Sequence, residues 1–261
     1  GGTVATMGEH QHLLVTEDGP VTRITLDRPE RRNAMSLDLM QELTGALRAA
    51  TGRVIVIAGA GPAFSAGHDL GELHAADEAE GGRIFRACTE LMETVQSVDQ
   101  PVIARVHGVA TAAGCQLVAS CDLAVAEEGA RFATPGVRIG LFCSTPMVPL
   151  ARAIGPKRAL EMLFTGDMVD ATTALEWGLL NRVVPAERLD ATVSELAERI
   201  AEASPLVLAM GKRAFYAQQG LPQPAAYELA CSTMVENLAA VDAKEGIGAF
   251  LDKRAPTWTG R

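Results

Sequence analysis

Ile103-Ala104-Arg105-Val106-His107-Gly108-Val109-Ala110-Thr111-Ala112-Ala113-Gly114-Cys115-Gln116-Leu117-Val118-Ala119-Ser120-Cys121-Asp122-Leu123 is the stretch on which the fold turns. It leaves an apolar run, residues 101–106, that reads as a buried strand. It then crosses Gly108 and the small residues 110–114 before reaching a second such run, 123–126. Upstream, residues 54–58 (Val-Ile-Val-Ile-Ala) read the same way. Helical patterns lie between these runs. Ser36 caps one through about residue 50, with Leu37, Met40, Leu43 and Leu47 at helical spacing. Another follows Gly81-Gly82 to about residue 98. Residues 12–26 read as two alternating strands joined by an Asp18-Gly19 turn. Strands alternating with helices predict an α/β core with parallel pairing.

Further helices are expected at residues 145–153 and 156–164. From about residue 186 the pattern is wholly helical, at 188–203, 206–219, 225–240 and 243–251. An apolar helical tail on an α/β core either folds back on it or makes a subunit interface. A core over residues 8–185 and a helical C-terminal region over 186–261 are therefore expected.

The chain has 261 residues, 48% hydrophobic and 21% charged, the balance of a globular protein with one large domain and an appendage. Its longest uncharged stretches are interrupted by Gly, Pro or Ser and fall short of the ~18 residues of a spanning helix. Residues 1–7 have neither a basic region nor an apolar core, so the expectation is a cytoplasmic protein. The five cysteines are odd in number and scattered, which suggests reduced, mostly buried thiols and no zinc site. A net charge of −9 argues against nucleic acid or an anionic membrane as partner. A polyanionic small ligand would need local basic clusters. Arg28, Arg31 and Arg32 form one and Lys253-Arg254 another.

The opening stretch resembles the signature of the crotonase (enoyl-CoA hydratase/isomerase) superfamily. The resemblance extends to Phe64-Ser65-Ala66-Gly67-His68-Asp69-Leu70, to Asp27-Arg28-Pro29-Glu30-Arg31-Arg32-Asn33-Ala34-Met35, and to residues 245–256. It implies an α/β, crotonase-like spiral of ββα units with a helical C-terminal region, commonly assembled as a trimer or a pair of trimers. It also implies an acyl-CoA ligand, with coenzyme A as part of the substrate thioester and no tightly bound cofactor. A thioester carbonyl reacts when two fixed N–H donors stabilise the charge on its oxygen, and tight turns at a helix N-terminus supply such donors. By resemblance the donors are the backbone N–H groups of His68 and Ala113. Arg28, Arg32, Ala34, Ala66, Asp69, Leu70, Phe250 and Lys253 fall at positions that would contact the coenzyme.

Hydration of an enoyl thioester needs a water held and a proton moved, work suited to two carboxylates. In the family pattern these fall at Gln116 and Gly136. An amide does not exchange its proton as a carboxylate does. Acyl-CoA binding with poor hydration is therefore expected, and Gln116→Glu with Gly136→Glu is expected to raise hydration. Two other readings stand beside it: a noncatalytic acyl-CoA-binding or regulatory protein, and an enzyme of another reaction, such as thioester hydrolysis or isomerisation. Cys143 and Ser144 fall in a segment that lines the acyl site of relatives, but no adjacent base to activate Cys143 is evident. His68, His74 and His107 carry weaker catalytic claims, and Asp122 is expected to satisfy local backbone donors.

Overall fold

The computed structural model describes residues 5–6 and 10–261, so most of the 1–7 segment lies outside the described residues. A seven-stranded sheet runs in the order Ala5–Thr6, Leu13–Asp18, Val21–Leu26, Val54–Gly59, Val102–Val106, Leu123–Glu127, Arg182–Val184. The first three strands pair antiparallel and the rest parallel. The hairpin differs from the expectation in one detail. Asp18 pairs with Val21, so the two-residue loop is Gly19-Pro20, and Gly19 takes the positive φ (55°) that such a loop needs at its first position.

The middle strands are buried on both faces, and their alternation sorts side chains into two layers. Ile55, Ile57, Val102, Ala104, Val106, Ala124 and Ala126 point into the larger core, where helices Leu37–Ala49, Glu78–Ser97 and Ala113–Ser120 contribute Leu43, Leu47, Leu91, Val95 and Leu117. Val54, Val56, Ile103 and Val125 point the other way. They meet Leu189, Val193, Ala197 and Ala201, a four-residue stripe along helix Leu189–Ala201. The first helix after the last strand thus covers the sheet. Each fully buried aliphatic side chain in these layers contributes roughly 1.5–3 kcal/mol of transfer free energy.

Elements too short to show a period were not anticipated. A second sheet joins Val109–Thr111, Arg131–Ala133 and Val169–Asp170, and short helices span Leu70–Ala75 and Ala171–Trp177. The second main helix also starts earlier than its glycines suggested, at Glu78, because the Asp77 carboxylate accepts the Glu80 N–H at 2.8 Å. Asp122 does satisfy a backbone donor, Val102 N–H at 2.7 Å, and also accepts from Lys212 Nζ (2.8 Å) and Tyr216 Oη (2.6 Å). It pins helix Pro205–Gln218 to the sheet. The tail then folds back, with Asp242 accepting from Ser204, Thr259 and Gly260. No described helix is long and apolar enough to cross a membrane.

Candidate functional site

Two backbone loops meet at one end of the parallel strands. Residues 64–67 run beside residues 107–111, with Ser65 N–H donating to Val109 at 3.2 Å and Thr111 N–H returning to Ser65 at 3.0 Å. The approach is close enough to exclude side chains. A Cβ on Gly114 would lie 2.2 Å from the Ser65 carbonyl oxygen, and one on Gly67 would lie 2.8 Å from Ala112 Cβ. Gly67 also has φ +96°, where a side chain is strained. Ala112 itself carries positive φ (52°), a conformation costing on the order of 1–3 kcal/mol in a residue with a Cβ. Its N–H is held by Ala133 at 2.9 Å, and helix Ala113–Ser120 begins immediately after it.

That strained entry leaves Ala113 at a helix N-terminus, where N–H groups lack intrahelical partners. On the facing loop, Met35 N–H donates to Gly67 at 2.7 Å and Asp69 N–H to Met35 at 3.1 Å, which skips His68 between them. The N–H groups of His68 and Ala113 have no hydrogen-bond partner among the described residues. Both residues line one cavity of about 410 Å³. Its other walls are Ala66, Leu70, Leu73, Phe85 and the segment from Pro135 to Pro146. Two such donors beside a largely apolar cavity are the kind of pair that stabilises an oxygen gaining negative charge.

The structure brings some of the anticipated residues to this cavity and leaves others away from it. Ala66, Leu70, Gly136, Cys143 and Ser144 line it. Gln116 does not: it is buried behind the wall, and its Oε1 accepts the Cys88 thiol at 3.5 Å. Arg28 and Asp69 are tied to the scaffold. Arg28 donates to Ala34 O at 3.0 Å and reaches the Asp69 carboxylate at 3.5 Å, while the other Asp69 oxygen caps helix Leu70–Ala75. Arg32 is exposed at φ 50°, with its carbonyl accepting Ala66 N–H at 2.9 Å. Phe250 and Lys253 are exposed and do not line the cavity within one chain.

Gly136 departs most from expectation. A Cβ there would lie 1.9 Å from the Leu141 carbonyl oxygen and 2.9 Å from Cys143 Sγ. The segment 141–143 occupies the space a glutamate would need, held by the Leu141 N–H to Gly136 O bond at 2.9 Å. Together with the placement of Gln116, this reverses the expectation that two glutamates would raise hydration. Among the described residues no carboxylate lines the cavity.

Its ionisable side chains are His68, Arg138 and Cys143. Arg138 pairs with Asp167. Burial raises the Cys143 thiol, partly offset by the Gly136 N–H, so a thiolate nucleophile is disfavoured. Burial pushes His68 down to about 4, with the Met35 carbonyl acting in the opposite sense. In the sequence His68 is legible through its backbone alone; its side chain as a cavity wall, and that of Phe85, arise from packing that no local pattern reports. His107 is structural, with Nε2 against Gly61 O at 2.7 Å, and His74 is exposed. Cys88, Cys115, Cys121 and Cys143 are buried free thiols, whereas Cys231 is exposed.

A fold of this topology, with one unpartnered N–H at a strained helix entry and another on the loop facing it, is that of a crotonase-type protein. Residues 16–261 match the enoyl-CoA hydratase/isomerase family model, and the chain belongs to that family. It is 46% identical over 258 residues to mitochondrial enoyl-CoA hydratase domain-containing protein 3 of Danio rerio, covering 97% of this chain and 89% of that protein. Among solved structures it is similar to an enoyl-CoA hydratase of Mycobacterium smegmatis (TM-score 0.93, 44% identity, covering 95% of this chain and 99% of that one). The human enoyl-CoA hydratase domain-containing protein 3 structure gives TM-score 0.91 at 44% identity, covering 95% of this chain and all 100% of that one. The expected cytoplasmic location is corrected by these relatives, since the curated vertebrate proteins are named as mitochondrial.

Proposed function

We propose that the protein binds an acyl-CoA thioester with the acyl group in the 410 Å³ cavity and the thioester carbonyl on the N–H groups of His68 and Ala113. The observation that carries this reading is the pair of unpartnered N–H groups on two loops locked together by Gly67 and Gly114. Hydration is weak, because among the described residues no carboxylate lines the cavity to hold water or move a proton. The same absence favours a second reading, a noncatalytic acyl-CoA-binding or regulatory protein. Hydrolysis or isomerisation has less support, since Cys143 is held as a thiol and the Ser144 hydroxyl is directed to the Phe142 carbonyl at 3.4 Å.

Assembly as a trimer or a pair of trimers is part of the proposal. Helix Gln223–Ala239 has no buried residue and exposes Tyr227, Met234, Val235 and Leu238, an apolar surface fit for a second copy. The test of function is a calorimetric titration with butyryl-CoA beside a hydration assay with crotonyl-CoA. Binding with slow or absent turnover is expected. Rapid hydration that Gln116→Ala abolishes would contradict the reading, as would failure to bind any acyl-CoA.

A further inference from the structure

From Phe64 to Asp69 every backbone N–H but one is taken. Phe64 donates to His107 O at 3.1 Å, Ser65 to Val109 O at 3.2 Å, Ala66 to Arg32 O at 2.9 Å, Gly67 to the Ser65 hydroxyl at 3.3 Å and Asp69 to Met35 O at 3.1 Å. His68 N–H is left over, so its direction is set by how its neighbours are held. Two of the acceptors belong to Arg32 and Met35, and the Ser65 hydroxyl that serves Gly67 itself donates to Asn33 O at 2.8 Å. The donor loop therefore hangs on residues 32–35, with Asn33 at their centre.

Asn33 is fully buried and takes φ 52°, a left-handed backbone that asparagine adopts more readily than most residues with a Cβ. Both ends of its amide are used by backbone. Oδ1 accepts Arg28 N–H at 2.9 Å, and Nδ2 donates to Ala60 O at 2.9 Å and to Ala63 O at 2.8 Å. The amide is closely enclosed, since a Cβ on Gly59 would lie 2.9 Å from Nδ2. One residue thus joins the basic loop at 28–32, the turn 60–63 that leads into Phe64, and, through its carbonyl and the Ser65 hydroxyl, the peptide next to His68. Asn33 does not line the cavity.

We infer that Asn33 is a positioning residue for carbonyl polarisation: its amide fixes the loop that aims the His68 N–H and does so without touching the ligand. The inference rests on the acyl-CoA reading above. Asn33→Asp is the discriminating substitution. It keeps the shape and the acceptor for Arg28 N–H, but in place of two donors it sets an oxygen against the carbonyl oxygens of Ala60 and Ala63. The turn is pushed away, and the His68 N–H loses its alignment on the thioester oxygen. Loss of one such hydrogen bond weakens acyl-thioester binding about three- to tenfold.

The test compares the full chain as wild type, Asn33→Asp, Ser65→Ala and Val193→Ala. Infrared difference spectra of butyryl-CoA labelled with carbon-13 at the carbonyl report polarisation, and calorimetry with butyryl-CoA and with coenzyme A reports affinity. Val193→Ala opens a cavity on the other face of the sheet and controls for lost stability, which thermal melts record. Wild type and Val193→Ala give the full downward shift of the carbonyl band. Asn33→Asp and Ser65→Ala lose part of that shift and bind butyryl-CoA about three- to tenfold more weakly, yet bind coenzyme A as wild type does. A full shift in either variant overturns the inference, as does an equal loss in Val193→Ala or an equal loss of affinity for coenzyme A. Should Asn33→Asp fail to fold, Ser65→Ala decides alone. Wild type that binds no acyl-CoA, or binds it with the band unshifted, overturns the thioester reading and the inference with it, whereas a wild-type shift that the variants keep overturns the inference alone.

Discussion

Gly136→Ala is the sharpest perturbation of the cavity's far wall, since it adds one carbon where the structure has no room. The new Cβ lies 1.9 Å from Leu141 O, 3.1 Å from Leu141 C and 2.9 Å from Cys143 Sγ. Non-bonded carbon contacts are comfortable near 3.5 Å, so Leu141 has to withdraw by more than about 1 Å. The obstacle is a backbone carbonyl, and no rotamer change relieves it. Gly136 lies outside the positive-φ set, so the cost comes from contacts and not from backbone conformation. Overpacking of this kind costs roughly 1–3 kcal/mol. Loss of the Leu141 N–H to Gly136 O bond adds about 1 kcal/mol. A destabilisation of about 2–4 kcal/mol is expected, which shifts Tm downward on the order of 10 °C. Urea unfolding followed by circular dichroism measures it, with the slope m checked for constancy. Gly136→Glu should cost at least as much and give no hydration, alone or with Gln116→Glu. A Gly136→Ala protein within about 0.5 kcal/mol of wild type would refute the reasoning, because it would mean that residues 141–143 give way freely.

Three further outcomes follow from the same contacts. Gly114→Ala drives a methyl against Ser65 O at 2.2 Å and separates the two donor loops, so acyl-CoA affinity measured by calorimetry falls at least about tenfold; unchanged affinity would dissociate loop spacing from binding. Lys212→Met leaves the Asp122 carboxylate without its cation, and removes donors to Val95 O and Gln100 O, at a cost of about 3–5 kcal/mol in chemical denaturation. His68 gives a pH signature. Its folded pKa of about 4 lies below the unfolded value of about 6.5, so the unfolded chain binds the proton first and stability falls as pH drops from about 6.5 to 4, by about 3 kcal/mol in total. His68→Leu flattens that part of the stability profile; an unaltered slope would show that the ring is not held neutral by burial.

The parallel core was legible because its strands are continuous apolar runs. Residues 54–58 and 101–106 admit few other readings once helical periodicity fills the gaps between them. Gly67 and Gly114 were legible as turn residues, and the structure supplies the reason each must be glycine: the facing backbone leaves no space. What local pattern could not carry was direction. The sequence resemblance reads Gln116 as standing where an acid is expected; its side chain turns toward Cys88, and only the packing of helix Glu78–Ser97 against helix Ala113–Ser120 determines that. Gly136 reads in the sequence as a missing side chain. In the fold the space its Cβ would need is taken by the backbone carbonyl of residue 141. The three-stranded sheet escaped notice because strands of two or three residues show no alternation.

The central claim is that the N–H groups of His68 and Ala113 polarise a bound thioester carbonyl, and infrared difference spectroscopy of butyryl-CoA labelled with carbon-13 at the carbonyl tests it most directly. Two hydrogen bonds to the oxygen weaken the C=O bond, so the bound carbonyl band moves to lower wavenumber than that of the free thioester, and Gly114→Ala loses the shift. A thioester that binds to the wild-type protein with its carbonyl band unshifted from the free value would contradict the account.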